Sequence, residues 1–133
     1  MSERGEAAAA TVRAYLDALN RGSVDEAVRC VSDGFINEHT SALGETVVGR
    51  EAYRERLGAF LGRFAGLHYQ IEQMIVDGDA VAVAYRMSAR CEERPFSIRG
   101  MFRFQLQGGH IVHRVDYWDS ADFLRQVEIQ PKR

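Results

Sequence analysis

Apolar residues recur every three to four positions up to residue 64 and every second position from residue 67 onward, and the change falls at Gly66. A helical period followed by an unbroken run of strand periods restricts the chain to an α+β fold, because alternating helix and strand would be needed for a parallel α/β sheet. Ala8, Val12, Tyr15, Leu16 and Leu19 fall on one face of a helix over 6–20 that ends at Asn20 and Gly22. Ser23 opens a second helix with Glu26 three residues on, the pattern of a capping box. Its apolar stripe is Val24, Ala27, Val28 and Val31, and Asp33-Gly34 stops it. A short strand at 35–39 would place Phe35, Asn37 and His39 on one face. A third helix spans 50–64, with Tyr53, Leu57, Phe60, Leu61 and Phe64 inward.

Four strands follow, at 67–76, 80–91, 96–106 and 110–119, separated by Asp77-Gly78-Asp79, Glu92 to Pro95, and Gly108-Gly109. A final helix over 120–126 begins with Ser120 as its cap. Strict alternation puts Val112, Arg114, Asp116 and Trp118 on one face of the last strand. Ile111, His113, Val115, Tyr117 and Asp119 fall on the other. Composition alone leaves open which face is inside. Three helices and a meander of long strands predict one domain over residues 1–133, with an ordered core of about 6–127. The expected architecture is a curved, mainly antiparallel sheet wrapped as a cone around the helices. The mouth of such a cone is a common ligand site.

At 133 residues with 46% hydrophobic content, the chain can bury a core without disulfide or metal staples. No apolar run approaches the ~20 residues of a membrane span, and Met1 to Ala10 lacks the basic start and apolar stretch of a signal peptide. A net charge of −2 gives no basic excess for nucleic acid. Cys30 and Cys91 read as free thiols of a cytoplasmic protein. His110 and His113, three apart on a strand, would point to opposite faces and make no metal pair. There is no phosphate-binding loop, dinucleotide fingerprint or nucleophile elbow. Any catalysis would rest on carboxylate, imidazole, phenol and amide groups, with no cofactor and no metal.

The segments YLDALNRGSVDEAVRCVSDGF (15–35), VVGREAYRERL (47–57), MFRFQLQGGHIV (101–112) and DYWDSADFLRQ (116–126) resemble the SnoaL-like polyketide cyclase family, within the ketosteroid isomerase-like and nuclear transport factor 2-like superfamily. The resemblance implies a conical pocket between the helices and the concave face of the sheet. It places Asp116 and Trp118 inside, with Asp116 at a last-strand aspartate used for acid–base work by limonene epoxide hydrolases. His39 matches the general-base aspartate of ketosteroid isomerases, and Tyr15 a first-helix tyrosine that points into the cone. Asn37 and His39 match a tyrosine and an asparagine that hold water in the epoxide hydrolases. The isomerases' second acidic residue would fall at Gly100, and the epoxide hydrolases' Arg and Asp at Tyr85 and Met87, so neither set is complete here.

On this reading Asp116, His39, Tyr15 and Asn37 are the candidate catalytic residues. Arg114, Trp118, Phe35, Tyr85, Met87, Phe102 and Phe104 are the candidate substrate-binding residues. The expected substrate is an apolar, oxygenated small molecule of polyketide or terpenoid type. A non-catalytic binding or dimerisation module of the same fold is the rival. A homodimer through an outward sheet face carrying Met101, Ile111, Val115 and Tyr117 is also expected.

Overall fold

The computed structural model describes residues 2–128, and over them the change of period at Gly66 becomes a change of architecture. Helices α1 (Glu3–Arg21) and α2 (Val24–Arg29) lead into strands β1 (Val31–His39) and β2 (Val47–Val48), followed by α3 (Arg50–Arg63). Strands β3 (Phe64–Asp77), β4 (Ala80–Cys91), β5 (Arg94–Gln107) and β6 (His110–Trp118) form the meander, and α4 (Ser120–Val127) follows. The six strands make one open sheet in the order β2-β1-β6-β5-β4-β3. All neighbours are antiparallel except β1 and β6, which run parallel.

Local chemistry sets the helix ends. Ser2 caps α1 by accepting from Gly5 N at 3.0 Å, and Gly22 ends it in the left-handed region. Ser23 caps α2 by accepting from Glu26 N. The Glu26 carboxylate does not close the box; Arg21 takes it instead. The cap of α4 is Asp119, which accepts from Ala121 N and Asp122 N, where Ser120 was expected.

The second helix is shorter than its apolar stripe predicts. Val31 already belongs to β1, paired with Ile111, and its carbonyl accepts two bonds from Arg50, at 2.6 and 3.2 Å. Tertiary pairing thus outcompetes one more helical turn, and Asp33-Gly34 sits at an irregularity in the strand.

Irregularities also curve the meander. β3 carries an extra residue near Gly66, whose φ is 67°, and another between Ile71 and Gln73. Such bulges bend a strand and increase its twist, which wraps the sheet around the helices. A third extra residue, Val112, lies where Leu106 pairs with Ile111 and Gln105 with His113. It reverses the expected alternation, so Ile111 is buried in the core instead of facing outward. Val115 is also buried, flanked by its register partners Glu38 and Arg103. The expected outward apolar face therefore shrinks to the cross-strand pair Met101 and Tyr117, which are 40% and 41% exposed.

The core is continuous. Val12, Tyr15, Leu16 and Leu19 of α1 and Tyr53 and Leu57 of α3 pack in one cluster with Val81, Val83, Phe102, Phe104 and Ile111 of the sheet. No helix among the described residues is long and apolar enough to cross a membrane. Cys30 and Cys91 are free thiols.

Candidate functional site

The parallel joint between β1 and β6 sets Asn37 directly beside Arg114 and His39 beside Asp116. These four side chains line one cavity of about 460 Å³, bounded also by Tyr53 and Phe60 of α3, Tyr69 of β3, Tyr85 and Met87 of β4, and Phe123 of α4. A volume of this size suits a small molecule.

Asp116 is 5% exposed. Its Oδ1 accepts a 2.6 Å hydrogen bond from the Tyr85 hydroxyl, and its Oδ2 lies 3.7 Å from His39 Nδ1. Burial pushes its carboxyl up to about 6, while the positive charge of Arg114 and the Tyr85 hydrogen bond hold it back from going further. Tyr85 is registered with Gly100 on β5, and Gly100 with Trp118 on β6. A side chain at Gly100 would put a Cβ 2.6 Å from Tyr85 Cζ and 2.8 Å from the Tyr117 carbonyl oxygen. Glycine at this position is what lets the phenol cross over β5 to reach Asp116.

His39 is held by Trp118, whose indole Nε1 donates to Nδ1 at 3.3 Å. That bond leaves the imidazole proton on Nε2. Around Nε2 stand Asn37 Nδ2 and Arg114 Nη2, both at 3.5 Å and both nitrogen donors. Burial, then the charges of Arg114 and Arg56, push the imidazole down to about 3. His39 is therefore neutral across the physiological range.

Arg114 is also 5% exposed. Its Nε donates to Asn37 Oδ1 at 2.8 Å and its Nη1 to the Tyr15 hydroxyl at 2.9 Å. The guanidinium carbon lies 4.9 Å from the centre of the Phe102 ring. The Tyr15 hydroxyl is in turn hydrogen-bonded to that of Tyr53, and burial raises both phenols above their ordinary range.

The expected residues thus divide. Asp116, His39, Asn37, Arg114, Trp118, Tyr85 and Met87 face the cavity. Tyr15 stands behind it and reaches it through Arg114. Phe35, Phe102 and Phe104, expected on the wall, are fully buried behind it as packing. Phe35 stacks edge-on with Tyr53, and Phe102 packs on Tyr85, with ring centres 4.5 Å apart.

Sequence reasoning did not single out the mouth. Phe60, Phe64, Phe96 and Phe123 gather there with Trp118, and an ion pair between Arg56 and Glu45 lies at its edge. Glu45 belongs to the loop after β1, whose Gly44 packs on the His39 side chain. The signal for Phe60 and Phe64 was the inward stripe of the third helix; Glu45 carried none, because loop geometry has no periodicity. No cluster of three His, Cys, Asp or Glu side chains suited to a metal occurs among the described residues.

An open, curved α+β sheet holding its polar residues at the inner end of an apolar cone defines the ketosteroid isomerase-like fold class. A Catenulispora acidiphila protein of that fold, solved with trimethylamine, has a TM-score of 0.82 at 18% identity, covering 90% of this chain and 93% of that one. Within this class the chain belongs to the SnoaL-like domain family, whose model matches residues 12–114.

A protein from Jannaschia sp. CCS1 assigned as a SnoaL-like polyketide cyclase has a TM-score of 0.86 at 17% identity, covering 98% of both chains. A limonene epoxide hydrolase-like enzyme from Mycobacterium tuberculosis has a TM-score of 0.81 at 21% identity, covering 92% of this chain and 90% of that one. No curated protein matches the chain by sequence. Asp116 lies just beyond the stretch that the family model matches.

Proposed function

We propose that this SnoaL-like domain is a small-molecule enzyme that moves a proton at a carbon beside a carbonyl, using its own side chains as acid and base. The proposed substrate is an oxygenated, polyketide- or terpenoid-like molecule. The observation that carries this reading is Asp116, a buried carboxylate on the wall of an apolar cavity with its pKa raised to about 6. A base poised near neutrality combines a useful ionised fraction with proton affinity, which is what general acid–base catalysis needs.

The surroundings suit the negative oxygen such a step creates. Asp116 takes the proton from carbon and later returns it. Arg114, fixed by Asn37 and Tyr15, and the Nε2–H of neutral His39 stabilise the developing enolate oxygen. His39 then works as a hydrogen-bond donor instead of a second acid–base group, because its imidazole is held near 3. Epoxide opening fits less well, since the resemblance puts Tyr85 and Met87 where the epoxide hydrolases carry the arginine and aspartate that complete their set.

The test is solvent deuterium exchange into 2-tetralone and levulinate, followed by NMR. The wild-type protein is expected to accelerate exchange, and Asp116→Asn to lower the rate by about 10²–10⁴-fold while both compounds still bind. Binding without any acceleration in the wild-type protein would instead identify a non-catalytic pocket.

A further inference from the structure

Arg114 is a buried cation whose hydrogen-bonding neighbours among the described residues are all uncharged. Asn37 Oδ1 and the Tyr15 hydroxyl accept its two good hydrogen bonds, and its third contact, Nη2 to His39 Nε2, is long at 3.5 Å. No carboxylate of the described residues forms an ion pair with it. Asp116, two residues along the same face of β6, is turned to Tyr85 and His39 instead. A guanidinium has five N–H groups. Only the first two contacts offer an acceptor, because His39 Nε2 carries its own proton, so three lack an acceptor among the described residues, on a side chain that lines the cavity. Burying a cation with unsatisfied donors is costly unless something charged completes it.

The wall around it selects the shape of what completes it. Tyr53, Tyr69, Tyr85, Phe60 and Phe123 make the cavity aromatic and apolar, suited to a flat hydrocarbon body. The guanidinium fork matches two coplanar oxygens.

We propose that the ligand of this pocket carries a planar two-oxygen anion, a carboxylate or a 1,3-dicarbonyl enolate, seated on Arg114. This deepens the proton-transfer reading by naming a substrate class for the same cavity. A ligand anchored there would hold its neighbouring carbon toward Asp116, about 7 Å further along the strand.

The probes are 2-naphthoate and 2-naphthamide, which share a shape and differ in charge, titrated into the full chain by calorimetry at neutral pH. Dimedone, an enolate under these conditions, is the third probe. The expected result is that 2-naphthoate binds about tenfold or more tighter than 2-naphthamide. Arg114→Gln is expected to abolish this preference with little change for the amide, and Arg114→Lys to retain part of it. If dimedone binds more tightly than 2-naphthoate, the anion is the enolate; the reverse order assigns the carboxylate.

Equal or tighter binding of the amide by the wild-type protein overturns the proposal, as does a preference that survives in Arg114→Gln, or failure of all three probes to bind at millimolar concentration. Should Arg114→Gln not fold, the wild-type comparison alone decides. Asp116→Asn separates the two readings. It is expected to keep the preference for the anion whether or not the wild-type protein catalyses exchange, so a wild-type protein that prefers the anion but accelerates no exchange refutes only the proton-transfer reading, whereas exchange lost in Asp116→Asn alone supports it.

Discussion

The Tyr85 hydroxyl donates a 2.6 Å hydrogen bond to Oδ1 of Asp116 across the intervening strand β5. The bond favours the charged carboxylate and so opposes the upward push of burial. Tyr85→Phe is expected to raise the Asp116 midpoint by about one pH unit. It should also cost about 1–3 kcal/mol of stability above neutral pH, where the carboxylate is charged. Carboxyl carbon NMR reads the midpoint, and an unmoved or lowered value would count against this account.

Gly100→Ala should reach the same carboxylate by a different route. The new methyl would crowd Tyr85 Cζ and the Tyr117 carbonyl, so the phenol must retreat from Asp116. The expected cost is about 1–3 kcal/mol, as for other overpacked core positions. The Asp116 midpoint should again rise. Combined with Tyr85→Phe the two effects should fall short of additive, because they act on one contact. A variant that melts with the wild-type protein would rule out this reading of the glycine.

Asp116 and His39 should pull the pH dependence of stability in opposite directions. The Asp116 carboxyl is raised from 3.8 to about 6, so its contribution is full below about pH 4 and lost as pH rises through 6. The His39 imidazole is lowered from 6.5 to about 3, so its contribution is present above 6.5 and lost as pH falls toward 3. Between pH 4 and 6 the two slopes oppose one another. Relative to the wild-type protein, Asp116→Asn should lose stability on acidification from 6.5, and His39→Asn should gain it from 6 to 4. Each slope can reach about 1.4 kcal/mol per pH unit. Urea titrations over this range measure both, and parallel slopes in the two variants would refute the assignment.

Gln126 ties α4 to the sheet. Its side-chain oxygen accepts from Ser97 N at 2.8 Å and its amide donates to Ser97 O at 2.9 Å. This pair holds Phe123 in the aromatic cluster at the mouth. Gln126→Ala is expected to cost about 1–3 kcal/mol. It should also speed amide hydrogen exchange across residues 121–127; exchange there at the wild-type rate would show that the aromatic contacts alone hold the helix.

Periodicity made most of the fold legible, because the side chains of an amphipathic helix or half-buried strand repeat what the core requires. Val31 and Ile111 escaped it through irregular strand pairing. Val31 depends on the parallel joint between β1 and β6, and Ile111 on the extra residue Val112 in the β5–β6 pair; in both, a distant partner strand sets the register. For the site, the alternation of Phe35, Asn37 and His39 held, as did that of Arg114, Asp116 and Trp118. The separation of cavity wall from the packing behind it was not legible. Phe102 and Tyr85 share chemistry and burial, and only three-dimensional placement decides which of them meets the cavity.

The parallel joint also sets an order of events in time. The β3 to β6 meander closes through short hairpins, whereas Asn37 and Arg114 are 77 residues apart and meet only when β1 docks on β6. Contacts between distant segments form slowly, because the intervening chain must first be ordered. A chain with a finished meander would still lack Asn37 and His39 at the polar end of its cavity, so ligand recognition has to await the docking of β1 on β6. The protein's single tryptophan, Trp118, touches His39 across that seam. Its emission during refolding is a built-in clock for the moment the pocket becomes competent.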